Sequence, residues 1–347
     1  TGLLGDPSST QSGIIVPNPI NPNIYYIFTV DEPHHTNASV YPNQYTGSYS
    51  EGQGNNQTIP DADDGYNNGL NYSIVDLSIS GSNGSIGDIT VRNTHLVTYD
   101  PDPTGIEIKY KCSEKITAVK TRDGLGYWVI THFADKFYAF KIDRDGVNPT
   151  PIISQIAPLV PITGYRRNAI GQLKISPNGK KLAVAHNQLA TTEGAMISNG
   201  VVYLYDFNNQ TGSISNPNIV IENTNPYGLE FSPKATKLYV STSSALLQFD
   251  LEASPIVASQ YIVAYRGNGS LQLGPDKKIY KANPGERSLD VVNFPELAGI
   301  ASRFEQRAVS LGNGSSNLGL PPFITSVFNS DILATNFCLS NPTNFSL

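Results

Sequence analysis

Residues Tyr227 to Tyr265 read YGLEFSPKATKLYVSTSSALLQFDLEASPIVASQYIVAY. Four short strands are legible in this stretch. Leu229-Glu230-Phe231 is an inner strand, and Ser232-Pro233-Lys234-Ala235-Thr236 is a tight turn. Lys237 to Ser241, Leu246 to Leu251 and Tyr261 to Tyr265 supply the second, third and fourth strands. Each run is rich in β-branched and aromatic residues and is bounded by turn formers. A meander of four strands at this spacing is the unit of a β-propeller blade.

The same text recurs elsewhere. SPNGKKLAVA (Ser176 to Ala185), SPKATKLYVS (Ser232 to Ser241) and GPDKKIYKA (Gly274 to Ala282) are versions of one hairpin. An inner strand runs into Pro with Asn, Asp or Lys, then a basic residue, then an alternating apolar strand. Pro presets the turn, and Asn178-Gly179 supplies positive φ. Repeats of this length point to propellers or arrays. The register marks five blades: Ser12 to Tyr99, Glu114 to Ile156, Asn168 to Glu222, the quoted stretch, and Gly269 to about Leu311. Pro322 to Phe328 is left as a further inner-strand candidate. Trp128, Tyr25 and Tyr26 alternate within strands, and core packing is their expected role.

The expected fold is therefore an all-β propeller of four-stranded antiparallel blades. Propellers close by pairing strands from both chain ends. A lone inner strand at Pro322 to Phe328 would need partners from outside the chain, from an upstream segment or another polypeptide. A seven-bladed ring lacking its N-terminal strands is expected, with six blades or a self-contained five as alternatives. Residues 1–328 form the propeller in this reading. Residues 329–347 read as a linker and the first strand of another domain.

Composition narrows the function. Gly (30), Pro (24) and Tyr (19) are abundant against a single Met, as in turn-rich all-β chains. Charged residues make up 15% and the net charge is −6, which argues against a nucleic-acid partner. No apolar run approaches the roughly 20 residues of a membrane-spanning helix. Cys112 and Cys338 are far apart, and their pairing is open.

Several residues are candidates for a site. Asp61, Asp63 and Asp64 place carboxylates in one long loop, as calcium requires. Against calcium, Tyr72 stands where the last ligand of an EF-hand loop would fall. His34 and His35 are adjacent, which suits a single metal ion poorly. His132 and His186 end the second strands of neighbouring blades, so they are expected near one another at the channel rim, as a shared binding site or with ordinary hydrogen bonds. Glu114-Lys115 and Arg166-Arg167 open inner strands and are expected at the rim of the central channel. Recognition of a carbohydrate or peptide there is one expectation, and a plain water-filled channel is the other.

GDPSSTQSGIIVPNP (Gly5 to Pro19), NIYYIFTVDE (Asn23 to Glu32), GLNYSIVDLS (Gly69 to Ser78), SEKITAVK (Ser113 to Lys120), YWVITHF (Tyr127 to Phe133) and LGLPPFITSVF (Leu318 to Phe328) occur in order. This string resembles the propeller domain of large surface proteins exported by the type IX secretion system of gliding bacteria. The resemblance covers nearly the whole chain. It implies export, contact with secretion or outer-membrane machinery, display on the outer face of the outer membrane, and a role in adhesion or gliding motility. Family members carry further strands before the GDPSSTQSG motif and continue into immunoglobulin-like or similar repeats, so the resemblance implies that residues 329–347 hold a linker and the start of an immunoglobulin-like domain. The family offers no catalytic residues to carry over.

No Gly-x-Ser-x-Gly elbow, Walker loop, His-Glu-x-x-His or Cys-x-x-Cys is present. The expectation is a non-enzymatic binding or scaffolding propeller without a cofactor. The alternative is a propeller enzyme of lactonase or quinoprotein-dehydrogenase type, which should gather carboxylates or histidines at one mouth of the channel.

Overall fold

The computed structural model describes residues 2–7, 9–33, 47–48, 58–59, 68–102, 104–162, 165–191, 197–328, 333–335 and 344–346. Five sheets follow one another along the chain, each an antiparallel meander. Blade 1 comprises Gly13–Pro17, Ile24–Val30, Leu70–Ser80 and Ile86–Leu96. Blade 2 has Ile116–Lys120, Tyr127–Phe133, Lys136–Asp143 and Ile152–Gln155, with Gly146–Val147 also pairing on the third strand. Blade 3 runs Leu173–Ile175, Lys181–His186, Gly200–Asn208 and Ser213–Thr224. Blade 4 is Pro226–Phe231, Lys237–Thr242, Leu246–Asp250 and Tyr261–Ala264. Blade 5 is Leu271–Leu273, Ile279–Lys281, Ser288–Val292 and Phe304–Ser310.

Alternation within each strand decides how the blades stack. In blade 4, Leu229 pairs with Val240 and Val240 with Leu247, so the apolar positions align across the sheet. Leu238, Val240, Leu247 and Phe249 pack there with Val202 and Leu204 of blade 3. Equivalent clusters join blade 1 to blade 2, blade 2 to blade 3, and blade 4 to blade 5. Trp128 and Tyr26 are buried in these layers, and Trp128 Nε1 donates to the Asn209 carbonyl of blade 3 at 2.9 Å.

The segment after blade 5 departs from expectation. Pro322 to Phe328 does not form an inner strand; Thr325–Phe328 is a single 3₁₀ turn. Two consecutive prolines, Pro321 and Pro322, remove the donors a ladder would use. This strap first runs beside blade 5, where Ser270 N donates to Leu318 O (2.8 Å) and Asn283 N to Ser316 Oγ (3.0 Å). It then reaches blade 2. Lys120 N donates to Ser326 Oγ at 3.2 Å, and Ile324 is buried in the cluster shared by blades 1 and 2. Among the described residues, no hydrophobic cluster joins blade 5 directly to blade 1.

Buried polar side chains of the inner strands tie the blades to one another at the centre. Gln172 Oε1 accepts from Leu229 N (2.9 Å) and Leu271 N (3.1 Å), so one amide caps the inner strands of blades 4 and 5. Gln11 exchanges two hydrogen bonds with the backbone of Leu173. Lys174 Nζ donates to Glu230 Oε2 at 2.9 Å and to Gln272 Oε1 at 2.8 Å. Radially arranged inner strands cannot pair with one another, and these side chains satisfy the backbone groups that would otherwise be stranded.

Candidate functional site

The residues expected at a channel rim lie at the end where the inner strands begin, and most of them are buried. Glu114 and Lys115 are 3% and 0% exposed, and His132 and His186 are 1% and 0%. Glu114 accepts from Thr10 N (2.9 Å) and Thr10 Oγ1 (2.7 Å). Lys115 Nζ donates to the Ala169 carbonyl. Burial, joined by the Glu32 charge, raises the Glu114 carboxyl to about 7, and burial lowers the Lys115 ammonium to about 7. The two imidazoles meet edge to face with centroids 5.0 Å apart. His132 Nε2 and both ring nitrogens of His186 have no hydrogen-bond partner. Burial pulls His132 down to about 3, and the Lys115 charge adds to it. Titratable groups therefore do converge at this end.

Arg166 and Arg167 do not open the inner strand of blade 3. They sit in a helical turn, Tyr165–Asn168, that precedes it; the Arg166 side chain lies outside the described residues. Asp61, Asp63, Asp64, His34, His35 and Cys338 also lie outside them. Among the described residues, no group of three or more His, Cys, Asp or Glu is placed to hold a metal ion. Cys112 is a buried free thiol whose pKa burial pushes well up, so it is a poor nucleophile.

The opposite face, where the inner strands end in the Pro-containing hairpins, carries a cavity of about 1450 Å³. The repeat explains its construction. All inner strands run the same way, so their hairpins emerge on one face, and those of blades 2 to 5 bring basic residues. Lys120 and Arg122 come from blade 2, Lys180 from blade 3, Lys234 from blade 4, and Lys277 and Lys278 from blade 5. Two carboxylates answer these six cations, Asp276 and Glu296. Glu296 is committed to the hairpin of blade 4, accepting from Thr236 Oγ1 (2.6 Å), Ser232 Oγ (3.0 Å) and Lys234 N. Asp276 accepts from Tyr280 OH at 2.9 Å and stands 4.0 Å from Lys278 Nζ. Lys120, Arg122, Lys180, Lys234 and Lys277 are exposed and take part in no ion pair among the described residues. The wall also carries Pro177, Pro233, Pro295 and the half-exposed Phe294 and Leu297.

Sequence reading missed this cluster. Its signal is the basic residue repeated in the hairpins of blades 2 to 5. The chain-wide charge of −6 concealed it.

No protein-family model and no curated protein matches the chain. Similar solved structures include a candidate 6-phosphogluconolactonase from Bacteroides uniformis, at 15% identity and TM-score 0.42, with 84% of this chain and 82% of that one covered. The periplasmic gluconolactonase PpgL of Pseudomonas aeruginosa matches at 12% identity and TM-score 0.43, covering 88% and 86%. A nidogen/laminin complex matches at 10% identity and TM-score 0.39, covering 84% and 79%. The first two names stand against the expectation of a module without catalytic activity, and likeness at this distance speaks for the fold alone. Chains similar to this one carry lactonase names, and a missing motif is no ground for setting an enzyme aside. The physical reason is that a propeller assembles its site from separate blades, which no contiguous motif records.

Proposed function

We propose that this propeller recognises an anionic ligand in the basic cavity on its hairpin face. One observation carries the proposal: five exposed cations with no ion-pair partner among the described residues line a single cavity in a chain of net charge −6. Like charges held together repel one another, and a concave site focuses their field, so an anion is the occupant that lowers the energy. Removing four of the charges (Lys120→Ala, Lys180→Ala, Lys234→Ala, Lys277→Ala) should weaken binding of polyphosphate, measured calorimetrically, at least tenfold. Unchanged affinity, or no binding by the unaltered protein, sinks the reading.

Asp276 favours a second reading, an enzyme acting on an anionic sugar lactone. It is a carboxylate beside two lysines inside the cavity, where a base and an anion-holding group would both be needed. Release of acid from δ-gluconolactone and its 6-phosphate, lost in Asp276→Asn, would support it. Equal rates with and without the protein would remove it.

Export and display at the cell surface, with a part in adhesion or gliding, remain proposals that rest on the motif string from Gly5 to Phe328. The same holds for an immunoglobulin-like domain starting within 329–347, where Leu333–Thr335 pairs with Asn344–Ser346. We also propose that blade 1 packs against strands contributed from elsewhere. Ile15, Leu77 and Ile79 are 57%, 38% and 41% exposed on the sheet face turned away from blade 2. An intact mass near 37.5 kDa with no co-purifying polypeptide would count against that.

A further inference from the structure

Resting on the anion-binding reading above, we infer that the occupant of the basic cavity is an acidic polysaccharide chain. Its carboxylate or sulfate groups lie on the lysines of successive blades, and one of its sugar rings lies on Phe294.

Three features of the cavity converge on this class. The first is size. About 1450 Å³ exceeds the roughly 300–1,000 Å³ of sites that enclose one small molecule. A single sugar phosphate would leave most of the cations unanswered. A chain crossing from blade 2 to blade 5 reaches Lys120, Lys180, Lys234 and Lys277 in turn.

The second is the kind of cation. Five of the six are lysines, mobile point charges that follow irregularly spaced anions. Bidentate recognition of one phosphate calls for arginine forks, and the cavity has Arg122 alone.

The third is the apolar wall. Phe294 is 47% exposed and Leu297 48%, with Pro233 and Pro295 lining the same cavity. The Arg303 guanidinium lies 5.4 Å from the Phe294 ring centroid and steadies the ring. A ring held in place loses little entropy on binding, and the C–H face of a sugar presents the apolar surface it would cover. Single-stranded nucleic acid asks for successive aromatic platforms. Among the described residues, Phe294 is the one exposed aromatic side chain on the wall.

Calorimetry of the full chain against polygalacturonate, heparin, neutral dextran, polyphosphate and a single-stranded oligonucleotide tests this. Binding of polygalacturonate or heparin without dextran is expected. Phe294→Ala should weaken acidic-glycan binding five- to tenfold and leave polyphosphate binding within twofold, with Phe294→Tyr restoring it. The melting temperature of each variant separates loss of contact from loss of fold, and Leu297→Asn supplies a second wall variant if Phe294→Ala does not fold. Binding of polyphosphate or the oligonucleotide with no acidic glycan bound overturns the inference and leaves the anion reading standing. Unchanged glycan affinity in the folded wall variants also overturns it. No binding of any polyanion overturns both.

Discussion

Lys174 of blade 3 and Glu230 of blade 4 meet at the ring centre, Nζ to Oε2 at 2.9 Å, with side chains 6% and 0% exposed. Gln272 of blade 5 accepts from the same ammonium. Three blades are thereby tied to one buried charge.

Removing one partner strands the other. Lys174→Met should lower stability by about 3–5 kcal/mol, because Glu230 is left charged and uncompensated. Adding Glu230→Gln should recover part of the loss, since it removes the uncompensated charge, while the amide oxygen keeps only one of the two backbone donors, Phe231 N on Oε1 or Leu273 N on Oε2. Denaturant unfolding of the two variants measures the difference. A double variant no more stable than the single one would show that the charges themselves hold the centre.

The two buried histidines predict acid sensitivity. Burial lowers both, with the Lys115 charge acting on each, His132 to about 3 and His186 well below its ordinary range. A group depressed on folding stabilises the folded state above its unfolded pKa and loses that contribution as pH falls. The loss begins below pH 6.5 and deepens toward pH 3. For His132 it is on the order of 2 kcal/mol at pH 5. The melting temperature should drop between pH 7 and pH 5 for the unaltered chain. The drop should be smaller in a variant carrying His132→Phe and His186→Phe, in which Glu114 and Lys115 still titrate.

Gly228 stands where the inner strand of blade 4 meets the segment that leads into the inner strand of blade 5. A Cβ there would lie 2.4 Å from the Gly269 carbonyl oxygen and 3.1 Å from Leu271 N. Gly228→Ala should cost about 1–3 kcal/mol, because backbone cannot yield as a flexible side chain would. Gly319→Ala, where a Cβ meets nothing within 4 Å, is the control expected to be neutral.

Salt should reveal the electrostatic part of binding. The ammonium groups of the basic cavity are exposed, so their attraction for a polyanion is screened by added salt. The logarithm of affinity should fall linearly with the logarithm of salt concentration, and the slope should become shallower in Lys234→Ala. A slope near zero would point to contacts that are chiefly apolar.

The blades were legible because alternation and turn chemistry are local. Lys237–Thr242 and Leu246–Asp250 lie within a residue of where the text places them. The last segment was not legible. Pro322 to Phe328 has strand-like composition, but the two prolines before Phe323 and the contact of Ile324 with blades 1 and 2 decide its shape. The cations were visible one at a time, in KK, K and KK at corresponding turns. Their convergence was not, because it depends on where residues some 40 to 60 positions apart are carried by the ring.

The sequence alone determined the radial sheets, since each meander's alternating apolar residues must be buried against a neighbour of the same pattern. Only the tertiary structure decided which end of the strands offers a site. It buried Glu114, Lys115, His132 and His186 at one end and gathered the hairpin lysines around an open cavity at the other. The reason is physical: periodicity specifies which faces pack, but the field at a cavity sums charges from separate blades, and that sum exists only once the blades stand side by side.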